Sequence, residues 1–199
     1  ISACLVGSEM CIRDRNKMKR EKKTEEIKFL MLNHKLPKKG IKYGLEVFEE
    51  VSAKYNKCKL CMFGMCDNSN LPNYVEYYQN PTKQKLVDLY SDADIFLFPS
   101  LEEGWGLTPL EAMACGCIVV GTNTGFVLDI GKNEENMMIS EPGNLKQMRE
   151  NIDIILNNKD LRNNIIENAI KTVEKLNWNN SCAQLEKILK TTCKIEERR

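Results

Sequence analysis

The chain has 199 residues, 42% of them hydrophobic and 29% charged, with 11 Gly, 6 Pro and a formal net charge of +1. This is the make-up of a globular protein with room for one ordinary domain and a little more, and it excludes a disordered, collagenous or low-complexity chain. A net charge this close to zero offers nucleic acid no global field, and no apolar stretch reaches the roughly 18 residues of a membrane-spanning helix.

The chain begins at Ile1, and its first fifteen residues, ISACLVGSEMCIRDR, hold a short apolar run with no basic residue before it. That pattern is unlike a secretory signal. It resembles translated adapter sequence and is set aside from the fold. Residues 1–40 carry a net charge of +6 and the remainder −5. A basic end suits phosphate groups or an anionic membrane surface, but a charge run is ordinarily a solvated segment. Residues 1–23 are therefore expected to be a non-native or disordered leader and linker, and residues 24–199 the folded domain.

From residue 27 strands and helices alternate. IKFLMLN (27–33) is almost wholly apolar, as in a strand buried on both faces. Pro37 and Gly40 mark a loop, and Ile41, Leu45, Phe48 and Val51 then fall at helical spacing over 41–55. KLCMFG (59–64) predicts a second strand, and 75–78 a short third. A helix is expected over 82–91, with Thr82 as its N-cap. Residues 95–98 are a strand stopped by Pro99. A helix follows over 107–115, where Pro109 is tolerated in the first turn. A strand over 117–121 and helices near 144–157, 159–176 and 179–194 complete the chain. This alternation predicts an α/β fold with a Rossmann-like, doubly wound parallel sheet, whose ligands bind at the carboxyl ends of the strands.

The informative loop follows the strand at 95–98 and reads PSLEEGWGLTPLEAMACG over 99–116. Gly104 and Gly106 allow close approach of backbone to a ligand. The amides opening the next helix form an anion site suited to a diphosphate. Glu103 precedes the glycine turn and Glu111 follows it, so the two carboxylates cannot share one helix face but can enter one cleft from either side. Pro109 stands where GxGxxG would place its third glycine, and there is no GxxxxGK[ST], which argues against simple dinucleotide and P-loop sites.

This stretch resembles the retaining glycosyltransferases of family 4. Their mark is two glutamates separated by seven residues, within a segment like E-G-[FW]-G-L-x-x-x-E-A-M-A-x-G. The likeness extends to the strand, Lys-Gly loop and helix over 27–64, to YSDADIFLFPS (90–100) and to the start of the last helix at Asn177 and Trp178. It implies the C-terminal, donor-binding half of a GT-B fold, with the N-terminal acceptor half missing. It also implies roles. Glu111 would accept hydrogen bonds from the ribose hydroxyls of the nucleotide. Glu103 would hold donor-sugar hydroxyls and support positive charge at the anomeric carbon. The backbone from Gly104 through Trp105, Gly106 and Leu107 to Thr108 would hold the diphosphate and sugar, and Trp105, in place of the more usual Phe, would shape the sugar pocket. Lys39 would neutralise the departing diphosphate. His34 stands where many members place an Arg.

The implied activity is transfer of a hexose-type sugar, with retention, from a nucleotide-diphosphate donor to a glycan or lipid-linked acceptor. No cofactor, metal or nucleic acid is called for. The implied location is cytoplasmic or peripheral to the inner face of a membrane, contacted through the missing half. A non-catalytic nucleotide-sugar-binding module and a GT-B-like sugar-nucleotide epimerase are the alternatives. His34 is the only histidine, which excludes His₂ and His₃ zinc sites. The nine cysteines are odd in number and suggest a reducing compartment. Cys58 and Cys61 would lie on opposite faces of a strand, so they are expected to be structural. Leu185, Ile188 and Leu189 form an apolar stripe expected to be core or an interdomain seam.

Overall fold

The structure is a computed structural model that describes residues 26–196. The expected leader therefore lies outside the described residues. Six strands are described, and every pairing between them is parallel. They are β1 (Ile27–Asn33), β2 (Cys58–Gly64), β3 (Glu76–Gln79), β4 (Ile95–Phe98), β5 (Ile118–Thr122) and β6 (Met138–Ser140), arranged in the order β3-β2-β1-β4-β5-β6. The helices are α1 (Ile41–Lys54), α2 (Lys83–Asp92), α3 (Leu107–Ala114), the single turn α4 (Val127–Ile130), α5 (Leu145–Asn157), α6 (Lys159–Glu174) and α7 (Trp178–Glu196). This is the doubly wound sheet expected from the sequence, and its direction of growth reverses between β1 and β4.

The near-continuous apolar strands follow from burial on both faces. Along β1, Phe29 and Met31 face one core while Leu30 faces the other, and all three are fully buried. The first core packs Phe29, Met31, Leu60, Met62, Ile95 and Leu97 against α1 and α5. The second packs Leu30, Phe63, Phe96, Phe98 and Val119 against α2, α3 and α6. Cys58 joins one core and Cys61 the other, as their spacing in a strand requires. Four helices begin on side-chain caps: Thr82 accepts from Lys85 N, Asn144 from Gln147 N, Asn158 from Leu161 N and Asn177 from Asn180 N, at 3.2, 3.1, 3.0 and 2.9 Å.

Three observations depart from the sequence expectation. Between residues 122 and 144 no element was expected, yet α4 and β6 form there. β6 is only three residues long and follows the polar stretch 133–136, so it has no period of its own and exists because β5 offers it an edge. The third strand begins at Glu76, one residue late. Of the two expectations for the stripe on α7, core is excluded: Leu185, Ile188 and Leu189 are 57%, 61% and 56% exposed.

The loops after β1 and β4 are fastened together by backbone. Pro37–Lys39 forms a 3₁₀ turn closed by Gly40, whose φ is 67°. A Cβ at Gly40 would lie 1.9 Å from the Pro99 carbonyl oxygen. Gly40→Ala is therefore expected to destabilise the domain by at least about 2 kcal/mol, from left-handed strain together with the clash. The shift of the urea midpoint relative to the unmodified chain measures it.

Candidate active site

Glu103 lies where three loops converge. Lys38 carbonyl oxygen accepts from Leu101 N at 2.7 Å, which ties the turn after β1 to the loop after β4. That tie delivers Lys39 to Glu103: Nζ stands 2.5 Å from Oε2, with the two side chains only 18% and 12% exposed. Glu103 also accepts from Gly104 N through Oε1 at 3.3 Å and from Ser100 Oγ through Oε2 at 3.5 Å. The loop after β5 supplies the third side. Gly125, at φ 58°, approaches Trp105 carbonyl and the Glu103 side chain so closely that a Cβ would lie 2.5 and 3.0 Å from them. Phe126 N donates to Trp105 carbonyl at 2.8 Å. Beneath the loop, Thr122 Oγ1 donates to Ser100 carbonyl at 2.5 Å.

The glycine turn ends at Gly106, whose φ of 91° starts α3 with no side-chain cap. Trp105 is 37% exposed, although its carbonyl is pinned. The N–H groups of Gly106, Leu107 and Thr108 have no hydrogen-bond partner among the described residues. Open donors at the positive end of a helix are suited to an anion.

Glu111 sits in the second turn of α3, half-buried. Tyr90 of α2 donates to its Oε2 at 2.9 Å. Burial pushes the Glu111 carboxyl above its ordinary range, and the Tyr90 hydrogen bond opposes that rise. Burial and the neighbouring Glu111 push the Tyr90 phenol well above its own. His34 lies in the same loop as Lys39. Its Nδ1 accepts from Leu36 N at 3.1 Å, so its described hydrogen bond shapes its own loop.

The structure thus joins Lys39 directly to Glu103, places the Gly104–Thr108 backbone beside them and gives Glu111 a separate partner. Ser100, Thr122 and Tyr90 carry supporting contacts that no role was assigned to from sequence. Serine and threonine at a strand end, and tyrosine at an apolar helix position, look like ordinary structure in a linear pattern. Among the described residues no cluster of three or more His, Cys, Asp and Glu could hold a metal ion, and no helix is long and apolar enough to cross a membrane.

The fold is that of the Rossmann-like domains. The chain belongs to the family Glycosyl transferases group 1, whose sequence profile matches residues 12–172. It is 29% identical over 180 residues to an uncharacterized glycosyltransferase of Methanocaldococcus jannaschii, covering 83% of this chain and 45% of that one. It is 30% identical over 145 residues to the capsular polysaccharide biosynthesis glycosyltransferase CapM of Staphylococcus aureus, covering 68% of this chain and 38% of that one. The crystal structure of the C-terminal domain of a glycosyl transferase group 1 family protein from Francisella tularensis superposes with a TM-score of 0.66 at 22% identity, covering 75% of this chain and 85% of that one. The fold is accordingly the C-terminal half of a GT-B architecture. The chain spans less than half the length of these two curated relatives.

Two outcomes follow from the charges in the site. A Lys39→Met, Glu103→Gln double-mutant cycle is expected to give a coupling of about 1–2 kcal/mol by denaturant unfolding, between the values for exposed and fully buried pairs. Glu111 is a carboxylate whose folded pKa is raised, so its ionised form opposes folding above that pKa. Glu111→Gln is expected to raise Tm at pH 7, with the advantage fading as pH falls through the raised pKa toward the ordinary 4.5.

Proposed function

We propose that residues 24–199 form the donor-binding half of a retaining glycosyltransferase of family 4. The observation that carries this reading is the Lys39–Glu103 pair across the β1/β4 reversal, beside a glycine turn that opens a helix. Ligands of doubly wound sheets bind at that reversal. Lys39 and the amides from Gly104 to Thr108 hold the diphosphate of a nucleotide sugar, with His34 at the rim of the same loop. Glu111 accepts from the ribose hydroxyls, and Glu103 from hydroxyls of the sugar.

Lys39 and Glu103 neutralise one another as a pair. A diphosphate offers Lys39 a stronger anionic partner and frees Glu103 for the sugar. As the bond from the anomeric carbon to the diphosphate oxygen breaks, its electron pair leaves with the diphosphate. Lys39 and the helix amides then face the growing negative charge, and Glu103 faces the growing positive charge at carbon. The acceptor hydroxyl oxygen forms the new bond to the anomeric carbon, and its proton passes to the departing diphosphate oxygen. The acceptor is a glycan or lipid-linked sugar held by a second domain, and transfer takes place in the cytoplasm or at the inner face of a membrane. Because this chain spans less than half of its relatives, its own property is donor binding, with transfer requiring the other half.

Thermal unfolding with UDP, GDP, ADP and dTDP, and NAD as control, tests the assignment. One diphosphate at a hundred times its Kd is expected to stabilise the chain by about 2.7 kcal/mol. Glu111→Ala is expected to weaken that binding by about 1–3 kcal/mol. An equal response in Glu111→Ala refutes the role given to Glu111, and sugar transfer by the 199-residue chain alone refutes its restriction to donor binding.

A further inference from the structure

Tyr90 is held without freedom. It is 1% exposed, with its ring edge-on to Phe63 at 5.6 Å and tilted against Phe96 at 5.8 Å. Its hydroxyl therefore has a fixed position, and that position is 2.9 Å from Glu111 Oε2. A carboxylate can accept about four hydrogen bonds, yet Tyr90 is the partner Glu111 has among the described residues. No described side-chain oxygen is both buried and unpartnered, so Oε1 of Glu111 keeps access to solvent. One oxygen of the carboxylate is anchored from below by a rigid donor, and the other remains open. A phenylalanine would fill the same core volume without the hydroxyl, and Glu111 would then lose its only described donor.

We propose that Tyr90 is a positioning residue of the donor site: its buried hydroxyl fixes Oε2 of Glu111 so that Oε1 stays presented to the ribose hydroxyls of the nucleotide. This rests on the assignment of Glu111 to the ribose given above. The hydrogen bond selects one rotamer of Glu111 before ligand arrives, and so removes an ordering penalty from binding. Burial and the Tyr90 hydrogen bond are what bear on the Glu111 carboxyl among the described residues. Cys115 and Cys117, beyond the end of α3, face Tyr90 itself.

The test is calorimetric titration of the 199-residue chain with UDP, GDP and ADP, followed by the 2′,3′-dideoxy counterpart of whichever binds most tightly. Tyr90→Phe is expected to weaken the ribonucleotide about tenfold, the scale of one hydrogen bond to a charged acceptor. The dideoxy counterpart is expected to bind the unmodified chain and Tyr90→Phe equally. Ribonucleotide affinity should fall with pH as Glu111 is protonated, and the midpoint of that fall should lie higher in Tyr90→Phe, because the lost hydrogen bond favours the ionised carboxyl. Equal ribonucleotide affinity in Tyr90→Phe, with Glu111→Gln weakened, overturns the role of Tyr90 and leaves Glu111 with the ribose. Equal loss for the ribo and dideoxy ligands also overturns it, since a merely structural tyrosine would act on both. Unchanged binding in Glu111→Gln, or no binding of any of the three by the unmodified chain, overturns the ribose assignment and the inference together. Should Tyr90→Phe not fold, side-chain NMR couplings of Glu111 in the unmodified, unliganded chain decide: a single rotamer is expected, and averaging among rotamers overturns the proposal.

Discussion

The arrangement depends on one contact between two turns of backbone. Where the sheet reverses its direction of growth, the loops leaving β1 and β4 emerge side by side, and Gly40 lies against the Pro99 carbonyl with no room for a side chain between them. Lys38 carbonyl then accepts from the loop after β4. The Lys39–Glu103 pair is registered by this join. Lys39 reaches Glu103 because its neighbour on each side is held, and Glu103 keeps its bearing because Ser100, Gly104 and Gly125 crowd it. Loosening the join by even a small displacement would separate a cation from a carboxylate that have little solvent to replace one another.

The same site is a place where folding and binding oppose each other. Glu111 is partly removed from water and has a single described donor, so in stability terms it is a liability. Lys39 and Glu103 offset one another's desolvation, but a mostly buried pair contributes less than apolar packing of the same volume would. Groups held at such expense are suited to a ligand that brings complementary charge and hydroxyls. The rest of the domain is conventional: two apolar cores on either side of a parallel sheet, with helices fixed at their starts by Thr82, Asn144 and Asn158.

Helix α7 stands apart from this economy. Its Leu185, Ile188 and Leu189 are more than half exposed, while the corresponding stripe on α5 is covered by the sheet. Amphipathic spacing reports that a helix has an apolar face, but not what that face meets.

Sequence alone determined the order of strands and helices, because apolar runs, caps and glycine or proline stops are local signals. It also determined which residues to suspect, since the Glu103 and Glu111 spacing around a glycine turn is a pattern along the chain. It did not determine β6, whose three residues become a strand only through β5, nor the exposure of the α7 stripe. Only the tertiary structure decided how the suspects are grouped. Lys39 and Glu103 are 64 positions apart and meet through the reversal of strand order. Tyr90 and Glu111 are 21 apart and meet because α2 and α3 pack on the same face of the sheet. Such pairings depend on which strands neighbour one another and on which face each helix covers, and neither is recorded in the spacing of residues along the chain.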